Sequence, residues 1–248
     1  IDLTLALDQI IEIIKYYKPI GEVVSMRDSH NSNSVFDHLP EVKGKWINIG
    51  RLDLNTSGLI LFTNNGDLAN KIMHPSNNFD REYIVQTDKP ISHESMRALL
   101  KGVPINDGQT GQFNHISEKR AKMYSVILST GKNREIRNIC EGCDLTVDKL
   151  RRVAIESLSI DDIGPGKYVF LTKKELLKAL GMEASGIPVA SKRNYISKKK
   201  SIQVKKRNFS DKDVFADDSS FRKFRKETYL DASKSLQEMR KKRDNPSK

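Results

Sequence analysis

The run Gly50-Arg51-Leu52-Asp53-Leu54-Asn55-Thr56-Ser57-Gly58-Leu59-Ile60-Leu61-Phe62-Thr63 sets a short polar loop directly against an unbroken apolar stretch. A continuous run of this length, without polar alternation, reads as a strand buried on both faces. The loop therefore holds Arg51 and Asp53 at the mouth of a buried strand. An isolated carboxylate in such a setting costs several kcal/mol or neutralises unless it is paired. Asp53 is thus the first residue to test for chemistry, although on spacing alone Arg51-x-Asp53 reads first as a surface ion pair.

Working outward, residues 3–14 form an apolar lead into the β-rich Ile11–Tyr17, ended by Lys18-Pro19, and Glu22–Ser25 reads as extended. Val35–Pro40 reads as one helical turn stopped by proline. Trp46–Gly50 reads as the strand that delivers the Arg51–Asp53 loop, and Gly58–Thr63 as the next strand. Asn64-Asn65-Gly66 turns the chain into a helix at Asp67–Met73, before Pro75. Further strands are expected at Glu82–Thr87, Lys122–Leu128, Arg151–Ile160 and Tyr168–Thr172. Helices are expected at Ser92–Leu100 with Ser92 as N-cap, at Asn133–Cys143 and at Lys173–Leu180. Strands outnumber helices and no regular βαβ repeat appears. The expected fold class is therefore α+β, with a mixed, mostly antiparallel sheet flanked by helices and loops.

The charge of +11 over 248 residues suggests a polyanionic partner, but it is unevenly distributed. Residues 1–182 carry 24 Lys+Arg against 23 Asp+Glu, a net of +1; residues 183–248 carry 19 against 9, a net of +10. That tail, with Lys198-Lys199-Lys200, Lys205-Lys206-Arg207, Arg222–Lys226 and Arg240–Arg243, holds too few aliphatics to offset its ordering entropy. It reads as a disordered, nonspecific phosphate-binding arm, with Phe209, Phe221, Phe224 and Tyr229 interleaved for stacking on bases and room for a short helix around Tyr229–Arg240. A solvated linker is the alternative. The expected division is a globular domain at 1–182 and a basic tail at 183–248. A domain of about 180 residues holds a core without staples.

Two cysteines, Cys140 and Cys143, exclude a disulfide framework; without a second pair or suitably spaced histidines they read as structural thiols, not a metal site. No stretch approaches the roughly 18 apolar residues of a membrane span, and the chain begins at Ile1 without a signal-like segment. Asp53-x-Asn55-x-Ser57-Gly58 matches the opening of a calcium loop, but Asn64 stands where a bidentate carboxylate is required. No glycine-rich phosphate loop, G-x-S-x-G or histidine-containing triad is present.

A second segment, Gly131-Lys132-Asn133-Arg134-Glu135-Ile136-Arg137, places three cations where a helix begins. Cations there oppose the helix dipole, so phosphate recognition or pairing to a buried carboxylate is the expected reason. A third, His74-Pro75 through Arg81-Glu82-Tyr83, sets a tyrosine at the start of a strand. It reads either as a half-buried strand aromatic or as a base-stacking residue.

In order, these segments resemble the RsuA/RluB-type pseudouridine synthases. The resemblance runs through Tyr17-Lys18-Pro19-x-Gly21-Glu22, Val35–Pro40, Gly50-Arg51-Leu52-Asp53-x-x-Thr56-x-Gly58-Leu59, Asn65–Asn70, Met73-His74-Pro75, Arg81-Glu82-Tyr83 and Gly131–Arg137. It continues into Leu150-Arg151-Arg152-Val153 and Gly164-Pro165-Gly166, over roughly residues 13–178. The opening motif and His74-Pro75-Ser76 look most like the RluB branch, which acts on large-subunit rRNA. The resemblance implies the pseudouridine synthase catalytic fold with an active-site cleft across the sheet. It also implies a bacterial, cytoplasmic isomerase of rRNA processing and ribosome biogenesis, monomeric and without cofactor or metal.

By that resemblance Asp53 is the catalytic residue, acting on a uridine flipped out of stacked RNA. Arg137 supplies the cation that keeps it ionised. Tyr83 stacks on the extruded base, and Arg51 helps displace the nucleotide. Ile136 and Leu150 match pocket-wall positions and read equally as ordinary core. Lys132, Asn133, Arg134, Arg151 and Arg152 are expected to contact RNA. The partner is ribosomal RNA, expected to be 23S, naked or in an assembly intermediate. A silent rRNA-binding or ribosome-assembly protein on the same fold, or a 16S substrate, is the alternative. Two departures stand out. The N-terminal alpha-L RNA-binding module expected of full-length members does not appear in this sequence, which reads either as a truncated product or as a protein relying on its tail, and Asp28–Asn33 replaces the family's Asp-Pro-x-Gly-Arg.

Overall fold

The computed structural model describes residues 10–25, 33–105 and 108–182. The apolar lead before residue 10, most of the Asp28–Asn33 departure and the whole basic tail lie outside these residues. Two compact units are described within them: residues 10–78 with 163–182, and residues 79–162.

In the first unit, β1 (Ile13–Lys18) lies between β3 (Ser57–Thr63) and β11 (Tyr168–Phe170), while β2 (Ile47–Ile49) pairs with the last residues of β3; all pairings are antiparallel. The apolar run of the opening motif is β3, and all seven of its residues are buried, as a two-sided strand requires. Register explains one face. Ile14 stands opposite Phe62 and Tyr16 opposite Ile60, so Tyr16 and Phe62 meet edge-on at 6.3 Å, and Phe36 meets Phe62 at 5.6 Å. Phe36 belongs to the short 3-10 helix Val35–His38, which fulfils the expected helical turn. Helix α1 (Gly66–Met73) buries Leu68, Ala69 and Ile72 against β2 and β3, with the Asn65 side chain accepting from Leu68 N at 2.8 Å. Helix α4 (Lys173–Ala179) begins in a reciprocal capping box between Thr172 and Glu175.

In the second unit the strands run β9-β4-β8-β7, again antiparallel: β4 (Arg81–Thr87), β7 (His115–Arg120), β8 (Met123–Leu128) and β9 (Val147–Ile155). Helices α2 (His93–Lys101) and α3 (Glu135–Glu141) bury Leu99, Ile136, Ile139 and Cys140 in a core shared with Val85, Tyr124, Val126 and Leu128 from the sheet. A small ribbon, β5 (Val103–Pro104) with β6 (Thr110–Gly111), packs on α3. A Cβ on Gly111 would stand 2.6 Å from Ile139 Cγ1, so only glycine permits this approach.

The α+β class agrees with the expectation; several boundaries do not. Glu22–Ser25 is no strand and keeps only the single bridge of Val23 to Ser34. Arg151–Ile160 is interrupted: β9 ends at Ile155, Glu156 turns at φ 48°, and β10 (Leu158–Ser159) folds back on β9. Helix α3 is shorter than Asn133–Cys143, because Arg134 takes a left-handed φ of 48° and the helix starts after it. Strand β7 was unexpected, since Ile116 is its only aliphatic residue.

Candidate active site

The Asp53 loop is built from its ends inward. At the entry, Gly50 N donates to Met73 Sδ at 3.3 Å, and Asn48 Nδ2 donates to Gly50 O at 2.9 Å. At the exit, Thr56 N donates to Asp53 O at 3.0 Å, closing a tight turn over Leu54-Asn55. Leu52 is buried and anchors the middle, Asp53 is half-buried, and Arg51 is exposed. Among the described residues no hydrogen bond or ion pair joins Arg51 to Asp53. The reading from spacing alone, a surface ion pair, is therefore not realised.

Beneath this loop lies a charge to which the sequence motifs gave no role. Lys18, at the end of β1, is 0% exposed. Its Nζ donates to Pro19 O and Thr56 O, each at 2.9 Å, and stands 3.5 Å from Leu54 O. Gly21 N adds a bond to Leu54 O at 3.0 Å, from a backbone at φ 94° that side-chain-bearing residues rarely adopt. The Lys-Pro-x-Gly spacing thus has a local physical meaning: proline ends the strand, glycine turns back, and both flanking residues grip the Asp53 loop. Burial pulls the Lys18 ammonium down to about 8, opposed by the attraction of Glu22 and Asp53.

Glu22 is the buried counter-charge. Tyr16 Oη stands 3.0 and 2.8 Å from its two carboxylate oxygens and donates to them; His38 Nε2 approaches to 3.6 Å while also meeting Asn33 Oδ1 at 3.0 Å. Burial pushes the Glu22 carboxyl above its ordinary range, against the Tyr16 bond and the attraction of His38 and Lys18. Burial, the same hydrogen bond and the Glu22 charge push the Tyr16 phenol up, so it remains the donor. Tyr16→Phe should cost about 2 kcal/mol, the range for a hydrogen bond to a charged group. Urea melts at neutral pH check this; an unchanged midpoint would show the hydroxyl to be dispensable.

The remaining candidates lie in the second unit. Tyr83 is half-buried on β4 and packs against the core cluster to which Ile136 and Leu150 belong. Arg137, on α3, is partly buried, and its Nη1 donates to Val147 O at 2.7 Å. Lys132, Asn133 and Arg134 are exposed in the loop before α3, as an RNA contact requires. Arg151 and Arg152 differ from the expectation. They are 3% and 4% exposed on β9, opposite Ile84 and Tyr83, where neither offers a surface to phosphate. A guanidinium carries long apolar flanks and five donors, so it can be accommodated inside the fold where its donors find acceptors. Cys140 is buried in the core and its thiol is pushed up to about 12 by burial, in keeping with a structural role; both cysteines are free.

Residues 12–142 match the RNA pseudouridylate synthase family. The chain belongs to that family. Among curated relatives it is 40% identical over 173 residues to the ribosomal large subunit pseudouridine synthase B of Vibrio vulnificus, covering 67% of this chain and 54% of the relative. It is 35% identical over 193 residues to the protein of the same name from Pseudomonas aeruginosa, covering 74% of this chain and 50% of the relative. The chain thus spans about half the length of the curated relatives it matches. A crystal structure of a pseudouridylate synthase shares the fold at a TM-score of 0.62 and 21% identity, over 68% of this chain and 74% of that one. Within this member of the family, Asp53 and the Lys18 beneath its loop belong to one unit, and Tyr83, Ile136, Arg137 and Leu150 to the other.

Proposed function

We propose that this chain converts uridine to pseudouridine at a single site in ribosomal RNA, with the large-subunit 23S rRNA as its substrate, and that Asp53 is the residue on which the reaction depends. Family membership and the names of the Vibrio and Pseudomonas relatives support this reading. The observation that carries it is the pinned loop. Gly50, Leu54 and Thr56 are each held by hydrogen bonds from other segments, so the Asp53 backbone is placed before any substrate arrives.

The reaction breaks the N1–C1′ bond, turns the uracil, and joins C5 to C1′. C5 gives up a proton and N1 gains one, so the balance requires no oxidant or cofactor. Asp53 acts as nucleophile or base in this sequence. The target must leave the base stack, at a cost of a few kcal/mol. The family resemblance is what assigns the remaining roles: Arg51 to displacing the nucleotide, Tyr83 to stacking on the extruded base, Arg137 to supplying a cation, and Ile136 and Leu150 to apolar wall positions. Lys132, Asn133 and Arg134 hold phosphates. The protein acts as a monomer in the cytoplasm, where the free thiols of Cys140 and Cys143 stay reduced.

Incubating the protein with unmodified rRNA and mapping the product by carbodiimide-stop primer extension should give one new stop in the large-subunit RNA. RNA binding without any stop would instead identify a silent RNA-binding protein. The tail is tested separately. Deleting residues 185–248 should weaken RNA binding and flatten its salt dependence, by about 0.7 in log–log slope for each single-strand phosphate the tail neutralises. An unchanged slope would leave the tail as a linker.

A further inference from the structure

The loop from Ser129 to Arg134 is held from below at successive residues. Arg81, at the start of β4, donates from Nη1 to Phe79 O at 2.9 Å and to Ser129 O at 3.0 Å. Its guanidinium lies under Gly131, where an added Cβ would stand 4.0 Å from Arg81 Cζ. Glu135, in the first turn of α3, is 7% exposed, and both of its oxygens are engaged by the loop. Thr130 Oγ1 donates to Oε1 at 2.7 Å and Lys132 N donates to Oε2 at 3.0 Å. Beyond these anchors the chain turns outward: Lys132, Asn133 and Arg134 are exposed, and Arg134 sits in the left-handed region without a side-chain cap. A non-glycine residue persists there only where its surroundings over-determine it.

We propose that Arg81 and Glu135 form a buried brace that fixes the 129–134 loop in the shape that presents Lys132 and Arg134 to the phosphates of the substrate RNA, which makes Glu135 a positioning residue for RNA binding. The inference rests on the reading of this chain as an RNA-modifying enzyme. A carboxylate in the first turn of α3 suits the helix dipole, but beside two RNA-facing cations it repels the polyanion the loop is to bind. Its two bonds to the loop explain why it is there: a loop already shaped for phosphate loses less entropy on binding.

That opposition sets the sign of the test. On charge alone, Glu135→Gln should tighten RNA binding. The brace requires the reverse, because the amide's N–H₂ end cannot accept from the loop. In the full chain, Glu135→Gln should weaken binding to an unmodified large-subunit rRNA transcript, and raise its KM, by about tenfold, with kcat changed less than about twofold and a smaller salt slope. Thr130→Val, which leaves the charge intact, should act in the same direction. Thr130→Ser, which keeps the donor, should bind like the parent. The double variant Glu135→Gln/Thr130→Val should be little worse than Glu135→Gln, since both changes open the same brace. Unchanged or tighter binding in Glu135→Gln and Thr130→Val would overturn the proposal, as would a kcat loss without a KM change. Thermal melts identify any variant that fails to fold, in which case Thr130→Val against Thr130→Ser decides. Binding is read by filter retention independently of product. A transcript bound but never modified by the parent would therefore count against the catalytic reading and leave the brace to be decided by the binding series.

Discussion

Asp53→Asn should fold, bind rRNA as the parent does, and deposit no pseudouridine. Asparagine matches aspartate in size and keeps the backbone bond from Thr56 N to the residue 53 carbonyl, so the loop keeps its shape. Leu52, Lys18 and Gly21 hold the loop through groups that the substitution does not touch. The expected change in stability is within about 1 kcal/mol, as for other changes at a half-exposed position. What disappears is the carboxylate proposed as nucleophile or base, and removing a group in that role lowers turnover by about four orders of magnitude or more. Primer extension after carbodiimide treatment, run beside a filter-binding curve for each protein, separates chemistry from binding. Equal modification by the two proteins would sink the assignment of Asp53.

Lys18→Met should be the most disruptive single change to the framework of the site. Methionine fills much of the same space but donates nothing, and with Lys18 wholly buried no water reaches the carbonyls of Pro19 and Thr56 to replace the ammonium. Glu22 also loses a buried counter-charge. Removing one member of a buried charged set costs about 3 kcal/mol or more. Turnover should fall as well, since the grip on Thr56 sets where Asp53 stands. The pH dependence carries an independent signature. Lys18 titrates near 8 in the folded protein and at its ordinary 10.5 when unfolded. Between those values the unfolded chain binds the extra proton, so this group makes stability rise with pH from about 8 to 10.5. Read downward, that contribution is lost as pH falls from 10.5 to about 8. Activity should move the other way, declining above pH 8 as the cation under the Asp53 loop discharges. Urea melts across pH 7 to 10 should show the Lys18-dependent rise in the parent and not in Lys18→Met. A Met variant as stable as the parent at pH 7 would refute the loop-clamp role.

The legible parts of this protein are those whose physics is local. The unbroken apolar run to Phe62 could only be a strand covered on both faces, and it is. Asn65, Ser92 and Thr172 stand where caps are needed, and each accepts from a helix-start N–H. Strand β7 escaped notice because His115, Ser117 and Glu118 break the apolar alternation that marks a half-buried strand. The break between Ile155 and Leu158 escaped because Glu156, not glycine or asparagine, takes the left-handed turn.

The candidate site divides along the same line. The Gly50–Thr63 run, with Asp53 at its loop, and the exposed basic stretch before α3 could be named from residues alone, because a motif and its turn lie within a few positions of each other. The working state of most charges could not. Arg151 and Arg152 were expected to face RNA and are instead inside a sheet. Lys18 carried no assigned role and proves to be the buried clamp, joined to Thr56 across 38 positions of sequence. Glu135 looked like one charge in a basic turn and is the anchor for Thr130 and Lys132. Sequence by itself determined the α+β class, the longer strands and capped helices, the family and the position of the loop that bears Asp53, because apolar periodicity and capping act over a turn or a strand. Tertiary structure alone decided which charges are buried, because burying a charge is tolerated only where donors and acceptors from distant segments converge to offset its desolvation.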